Sequence, residues 1–95
     1  MPALVLVEVE IHNPELYEEY KKLSLPAVEA FGGKFIVRGA QTESLEGEWV
    51  PQRLVILEFP SVEKAKEWYN SEQYTTAKNI RFQASKGKML VVESL

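Results

Sequence analysis

Four short segments of the chain carry the alternating or continuous apolar residues that are typical of β-strands. They cover residues 3–10, 34–39, 53–59 and 88–93. In the first segment Val5, Val7 and Val9 share one face, because successive side chains of a strand point to opposite sides. The polar residues 40–52 predict a loop, and Lys86-Gly87 predicts a turn before the last strand. Four strands are therefore expected.

A first helical region lies between the first two strands. Asn13 is its predicted N-cap, and Gly32-Gly33 ends it, because glycine readily takes the left-handed conformation that stops a helix. Pro26 predicts a kink or a restart with Ser24 as a local cap, since proline removes one amide hydrogen bond. The expected buried stripe at helical spacing is Leu16, Tyr20, Leu23, Ala27 and Phe31.

A second helical region lies between the last two strands and divides into two helices, for which Ser61 and Ser71 are the predicted N-caps. The expected inward residues are Val62, Ala65 and Tyr69 with Trp68 beside them, and then Tyr74, Ala77, Ile80 or Arg81, and Ala84. No linker or repeat interrupts the chain. Residues 1–95 are therefore predicted to form one domain with the order β-α-β-β-α-β.

This order predicts an α+β fold of the ferredoxin-like βαββαβ type, with a four-stranded antiparallel sheet. Right-handed crossovers place the helices on one face of that sheet. The opposite face is also apolar, and its residues are Leu4, Leu6, Ile36, Leu54 and Ile56. Because soluble monomers seldom expose an apolar patch of this size, we predict a homodimer in which two sheets pack face to face.

Three charged residues, Glu8, Arg38 and Glu58, have the same strand parity as this second apolar face. Arg38 and Glu58 lie on the two strands of the central hairpin. Because buried charges need partners, the expected arrangement is an ion pair between these two side chains, or one across the dimer.

Composition removes several classes of function. The 95 residues have a net charge of −3, no cysteine and one histidine. The lack of cysteine excludes a disulfide scaffold, a thiolate nucleophile and Cys-based metal sites, and one histidine cannot form a His cluster. The acidic balance disfavours nucleic-acid binding, and no apolar run has the length of a membrane span. Since the N-terminus lacks a signal peptide, we expect a cytoplasmic protein. We also expect no cofactor.

Arginine and tyrosine supply most of the candidate chemistry. Arg53 and Arg81 are candidates for binding an anionic substrate, because a guanidinium group holds a carboxylate or an enolate through paired hydrogen bonds. The alternative for both is an ion pair with an acid such as Glu46 or Glu63. Five aromatic residues also fall on the helical layer, and they are Tyr17, Tyr20, Trp68, Tyr69 and Tyr74.

Those aromatic residues have two interpretations. Tyr20 and Tyr69 are expected in the core, where aromatic side chains at helical spacing usually pack. Tyr17 and Tyr74 lie at the flanks of their stripes, and for them pocket lining and plain packing both remain open.

His12 and Glu46 are the candidate proton-transfer groups. His12 follows the first strand and precedes a helix, where it could act as a general acid or base, although a solvated turn residue is the ordinary alternative. Glu46 precedes Gly47 in the loop and could serve as a turn residue or as a general base at a pocket rim.

Several strings of the sequence together resemble one protein family. They are residues 17–20 (YEEY), 31–39 (FGGKFIVRG), 45–47 (LEG) and 51–61 (PQRLVILEFPS), followed by Ala65, Trp68-Tyr69, Ser71, Tyr74 and Arg81. The chain resembles the domain-of-unknown-function family 1330 of the dimeric α+β barrel superfamily, although Ala40 stands where that family often has a glycine. The resemblance implies a ferredoxin-like protomer and a sheet-to-sheet dimer. It implies no particular reaction, since the superfamily includes monooxygenases, isomerases, haem peroxidases and simple ligand binders.

Two functions follow as hypotheses. The first is a dimer that binds a small anionic or aromatic molecule between helices and sheet, or acts there as a cofactor-independent monooxygenase- or isomerase-like enzyme. Its ligand-binding residues would be Tyr17, Arg38, Arg53, Tyr74 and Arg81, with His12 or Glu46 transferring a proton. The alternative is a non-catalytic dimeric binding or interaction module, in which the arginines and tyrosines are structural. The sequence leaves open whether the protein is an enzyme.

Overall fold

Four strands and three helices make up the computed structural model, which describes residues 1–95. They are β1 Ala3–Ile11, α1 Pro14–Ala30, β2 Lys34–Arg38, β3 Arg53–Phe59, α2 Val62–Asn70, α3 Glu72–Ala84 and β4 Ser85–Glu93. The strands form one sheet in the order β2-β3-β1-β4, and every neighbouring pair is antiparallel. This confirms the predicted α+β ferredoxin-like fold. None of the helices is both long enough and apolar enough to cross a membrane.

Side-chain caps begin the helices at the predicted residues. The Asn13 side chain accepts a hydrogen bond from the Leu16 amide at 3.1 Å. Ser61 and Ser71 act in the same way for α2 and α3, so the second helical region divides where the sequence predicts. The predicted restart at Pro26 is wrong, because α1 continues through it to Ala30. One missing amide hydrogen bond is offset there by the burial of the neighbouring side chains.

The core lies between the sheet and the helical layer. Val5, Val7 and Val9 of β1 are buried there, as the alternation predicts. The stripe of α1 is rotated from the predicted one, since Tyr17 is buried whereas Leu23 is 40% exposed. This rotation follows from packing, because α1 lies against α3 as well as over the sheet. The full set of buried α1 residues is Tyr17, Tyr20, Ser24, Ala27 and Val28.

The inward residues of α2 and α3 also differ in detail from the prediction. Trp68, expected beside the stripe, is 1% exposed and central to it, whereas Tyr69 is half-buried. On α3 it is Arg81 that points inward, while Ile80 is half-buried. An arginine therefore occupies a core position of the helical layer.

A β-bulge changes the orientation of the second half of β2. Phe35 is paired with Leu57, but Val37 is paired with Ile56 and Arg38 with Val55, so one extra residue lies between Phe35 and Val37. Directly paired residues share a face, and Arg38 is therefore on the helix side of the sheet with Val55. The predicted position of Arg38 on the outer face is wrong. The prediction assumed strict alternation of side chains along β2, and the extra residue of the bulge reverses the faces after it.

The expected ion pair between Arg38 and Glu58 is accordingly absent. Glu58 is paired with Lys34 at 3.4 Å, and Glu8 with Lys88 at 3.5 Å.

The predicted turn at Lys86-Gly87 is wrong too, since β4 runs through it and Gly87 pairs with Val9. The apolar residues of the outer face are Leu4, Leu6, Val37, Leu54, Ile56, Leu90 and Val92. No helix covers that face.

Candidate functional site

Two cavities lie between the helices and the sheet. The larger, of about 380 Å³, opens between α2, α3 and β4. The smaller, of about 20 Å³, lies beneath α1 against β2 and β3. Trp68 and Met89 line both of them, so the two cavities are neighbours across these side chains.

Arg81 is the buried cationic group of the larger cavity, whose lining also includes the exposed residues Lys66 and Lys88. It is only 4% exposed, and its Nε atom is buried without a hydrogen-bond partner. The indole Nε1 of Trp68 is also buried without a partner in the same cavity. The guanidinium carbon of Arg81 lies 5.0 Å from the ring centre of Phe82. The cavity therefore combines aromatic walls with two unused N–H donors.

No carboxylate neutralises either candidate arginine. The five ion pairs of the chain all join a lysine to a glutamate, so neither Arg53 nor Arg81 takes part in one. The alternative in which Glu46 or Glu63 pairs with these arginines is therefore wrong. Burying a charge without a partner is unfavourable, and such a group is retained in a fold only where something else requires it.

Three tyrosines form a contiguous cluster beside Arg81 and Arg53. The hydroxyl groups of Tyr20 and Tyr74 lie 2.9 Å apart, and either can be the donor. The ring centres of Tyr17 and Tyr20 are 5.2 Å apart, and the Arg53 guanidinium carbon is 5.6 Å from the Tyr17 ring centre. The cluster thus connects α1 with α3 beside the smaller cavity, which Tyr17 and Tyr20 line.

Burial shifts the pKa of two tyrosines in this cluster. It raises the pKa of Tyr17 above its ordinary value, an effect that Tyr20 reinforces and the charges of Arg53 and Arg81 oppose. Burial also raises the pKa of Tyr74, and its hydrogen-bonded neighbour Tyr20 adds to the rise. Both hydroxyl groups are therefore neutral near pH 7 and can donate hydrogen bonds, but they are poor general bases.

Three of the four remaining predicted ligand residues lie at the smaller cavity. Tyr17, Arg38 and Arg53 line it together, and the bulge in β2 is what brings Arg38 there. Tyr74 lines neither cavity, but its hydroxyl group contacts that of Tyr20 and interacts with the guanidinium group of Arg81. Of the five predicted ligand residues, the structure therefore places three at one cavity and Arg81 at the other.

The two predicted proton-transfer residues lie elsewhere. His12 is exposed beyond β1, and its backbone N–H donates to the Ala84 carbonyl at 2.8 Å. Glu46 is exposed in the loop, where its backbone carbonyl accepts a hydrogen bond from the Ser44 hydroxyl at 3.3 Å. Neither residue lines either cavity. A catalytic role for them stays a prediction.

The predicted ligand residues did not include Lys66, Trp68, Phe82 and Met89, which line the larger cavity, although Trp68 was among the aromatic residues expected on the helical layer. A helical wheel of α2 places Trp68 on the buried side with Ala65, but it places the exposed Lys66 away from that side. Phe82 gives no such signal, because it lies beside the inward stripe. Around this site and elsewhere, no three His, Cys, Asp or Glu side chains come close enough together to hold a metal ion.

The sequence matches one known protein family over nearly its whole length. Residues 2–95 match the model of a domain of unknown function, DUF1330. The protein belongs to the DUF1330 family. No curated protein matches the sequence. The function of this DUF1330 protein therefore has to come from its structure.

Solved structures similar to the DUF1330 protein agree on the fold. The RPA0582 protein of unknown function from Rhodopseudomonas palustris is 25% identical, with a TM-score of 0.79 over 99% of this chain and 82% of that one. A dimeric ferredoxin-like protein of unknown function from Jannaschia sp. CCS1 is 8% identical, with a TM-score of 0.75 over 99% and 100%. SnoaB, a cofactor-independent oxygenase from Streptomyces nogalater, is 9% identical, with a TM-score of 0.72 over 99% and 93%.

Proposed function

We propose that this DUF1330 protein binds a small aromatic anion in its larger cavity, with Arg81 as the group that holds the charge. The observation that carries the proposal is the state of Arg81. It is buried, it has no carboxylate partner, and its Nε donor is unused. A bound anion would neutralise this charge and satisfy that donor.

The size and lining of the larger cavity support an organic ligand. Its volume of about 380 Å³ lies within the range of small-molecule sites, roughly 300–1,000 Å³. Trp68, Tyr69 and Phe82 line it and provide aromatic surface for a flat ring. The indole N–H of Trp68 adds a second donor for an oxygen atom of the ligand. A carboxylate or enolate on an aromatic ring fits this arrangement.

Binding is favoured over catalysis by the same geometry. SnoaB shares the fold and is an oxygenase, which makes a cofactor-independent oxygenase or isomerase the second candidate function. However, His12 and Glu46 line neither cavity, and the buried tyrosines are held neutral. Binding requires only the groups that the cavity presents.

The binding test compares the affinities of benzoate and its neutral isostere benzamide. The fluorescence of Trp68 reports the binding of each compound. The chain has two tryptophans, and Trp49 is 56% exposed, so a Trp49→Phe background leaves Trp68 as the only indole. In that background benzoate should bind more tightly than benzamide. Arg81→Met should weaken benzoate by about tenfold or more, since a hydrogen bond to a charged group contributes about 1.5–3 kcal/mol.

The matched control for this experiment is Lys64→Met, which removes a charge from the exposed side of α2. It should leave the benzoate affinity unchanged. Equal binding of benzoate and benzamide, or a benzoate affinity unaffected by Arg81→Met, would show that Arg81 does not hold an anion.

We also propose that the protein is a homodimer joined through the outer faces of two sheets. The apolar outer face is uncovered in one protomer, and the Jannaschia protein of the same fold is dimeric. Leu6 is central on that face, since it is paired with Ile56 on one side and Leu90 on the other. Light scattering after gel filtration should give about twice the 10.9 kDa chain mass.

Leu6→Glu tests the interface, because it places a charge in the middle of the apolar face. It should shift the mass toward that of a single chain. Leu45→Glu is the matched control, since Leu45 lies on the loop and is 96% exposed. A monomeric wild-type protein, or a dimer that Leu6→Glu leaves intact, would contradict a dimer formed through this face.

A further inference from the structure

Four cations and one carboxylate line an open depression beside α1, which we call the cationic cleft. Its residues are Glu18, Lys21, Lys22, Arg38 and Arg53, and its volume is about 470 Å³. The whole chain has a net charge of −3, yet this cleft has a formal charge of +3 from its four cations and one carboxylate. No apolar side chain lines it. Such a local excess of positive charge attracts anions.

Both arginines of the cleft are held by aromatic rings. The guanidinium carbon of Arg38 lies 4.4 Å from the ring centre of Phe35, and that of Arg53 lies 5.6 Å from the ring centre of Tyr17. Stacking on a ring face leaves the N–H groups at the edge of a guanidinium available. Neither arginine is paired with a carboxylate, and the Nε atom of Arg53 is buried without a partner.

Two special backbone features place these arginines together. The β-bulge turns Arg38 to the helix side, where it is paired with Val55, and Arg53 lies two residues before Val55 on the same face. Diagonal neighbours of this kind have backbones about 7–8 Å apart, within reach of long side chains. Gly39 then leaves the sheet with φ of 75°, and a Cβ atom there would collide with the Arg53 guanidinium.

Bulges often lie next to binding sites because they redirect a side chain. The lysines add point charges at the rim: Lys21 is paired with Glu18 at 2.9 Å, while Lys22 is paired with Glu19, which does not line the cleft. Two guanidinium forks with two ammonium groups suit a tetrahedral anion that has several oxygen atoms.

We propose that the cationic cleft is a second binding site, distinct from the Arg81 cavity, for the phosphate group of a small phosphorylated molecule. A long nucleic acid is disfavoured, since the positive charge is confined to this one depression in an acidic chain. The site does not depend on the ligand proposed for the larger cavity, because Arg81 does not line the cleft.

Calorimetric titration with inorganic pyrophosphate tests the cleft, with sodium chloride added to hold the ionic strength constant. The wild-type protein should bind pyrophosphate with a measurable heat, and acetate at equal ionic strength should not bind. Arg38→Gln should weaken pyrophosphate about tenfold or more, because it removes a charged hydrogen-bond donor. Arg53→Gln should weaken pyrophosphate binding in the same way. If Arg53→Gln does not fold, Arg38→Gln alone tests the cleft.

Lys34→Gln is the matched control. It lies on the same strand as Arg38, but it is paired with Glu58 on the outer face and is exposed. It should leave the pyrophosphate affinity unchanged, and so should Arg81→Met. If Lys34→Gln weakened pyrophosphate binding equally, or if acetate bound equally well, pyrophosphate binding would be nonspecific attraction of an anion and the cleft would not be a site. Loss of pyrophosphate binding in Arg81→Met would place the anion in the larger cavity and overturn the second site.

Discussion

Replacing Arg81 by methionine should make the protein more stable while it removes ligand binding. Arg81 is 4% exposed, and no carboxylate is paired with it. A side chain kept for a ligand is expected to be unfavourable in the empty protein, since its charge has no carboxylate partner and its Nε donor is buried unused. Methionine keeps an unbranched stem of similar length and carries no charge.

The size of the gain follows from what the substitution removes. A buried donor without a partner, such as the Arg81 Nε, costs about 1–3 kcal/mol. The apolar contacts of the stem are largely retained by methionine, so little is lost in return. The free energy of unfolding should rise by about 1–3 kcal/mol. For a domain of this size, each kcal/mol corresponds to about 4–8 °C in Tm.

Urea unfolding followed by circular dichroism measures this change. Wild type and variant have to be compared at one protomer concentration, because the stability of a dimer depends on concentration. Lys64→Met on the exposed side of α2 should stay within about 0.5 kcal/mol of wild type. If Arg81→Met instead lowers the free energy of unfolding by 1 kcal/mol or more, Arg81 is structural and the argument for a ligand at this position fails.

Three further changes test the packing around the sites. Tyr20→Phe should lower the free energy of unfolding by about 1–3 kcal/mol, because it removes the hydrogen-bond partner of the buried Tyr74 hydroxyl group. In urea unfolding, the double variant with Tyr74→Phe should recover part of that loss, and no recovery would contradict a hydrogen bond between the two hydroxyl groups. Gly87→Ala should cost at least about 1–3 kcal/mol in the same assay, since its Cβ would collide with the Glu8 carbonyl, whereas a change below about 0.5 kcal/mol would refute that collision. Above pH 10.0 the free energy of unfolding should fall, because the raised folded-state pKa values of Tyr17 and Tyr74 favour folding below the unfolded value of 10.0, and this contribution disappears as the pH passes the folded values. Tyr17→Phe should make the fall shallower in urea unfolding at each pH, and an unchanged slope would contradict the shift at Tyr17.

The strands and helix caps were accessible to sequence reasoning because they depend on local signals. The valines of β1 alternate, and Asn13, Ser61 and Ser71 each cap the helix that follows. Pro26 was misleading, since local propensity gives way to packing once its neighbours are buried. The stripe of α1 was misjudged for a related reason, because contact with α3 decides which side is inward.

The candidate site was predictable in its chemistry and less so in its geometry. Composition alone pointed to arginine and tyrosine, and the period of α3 allowed Arg81 to face inward. The orientation of Arg38 was hidden, because the bulge in β2 is a property of its pairing with β3 and leaves no mark on the alternation. The division of the interior by Trp68 and Met89 depends on residues from different elements, which no local pattern relates.

The distribution of ion pairs supports the proposal that the arginines bind an external anion. Five lysines are paired with glutamates, whereas none of the three arginines is. A fold that used its cations only for stability would show the reverse, since the planar guanidinium is the better partner for a carboxylate and keeps its charge when buried. The lysine pairs are largely exposed and contribute little to stability. Arginines held on aromatic rings, at a cavity and at a cleft, are what a protein needs when the carboxylate or phosphate arrives with the ligand.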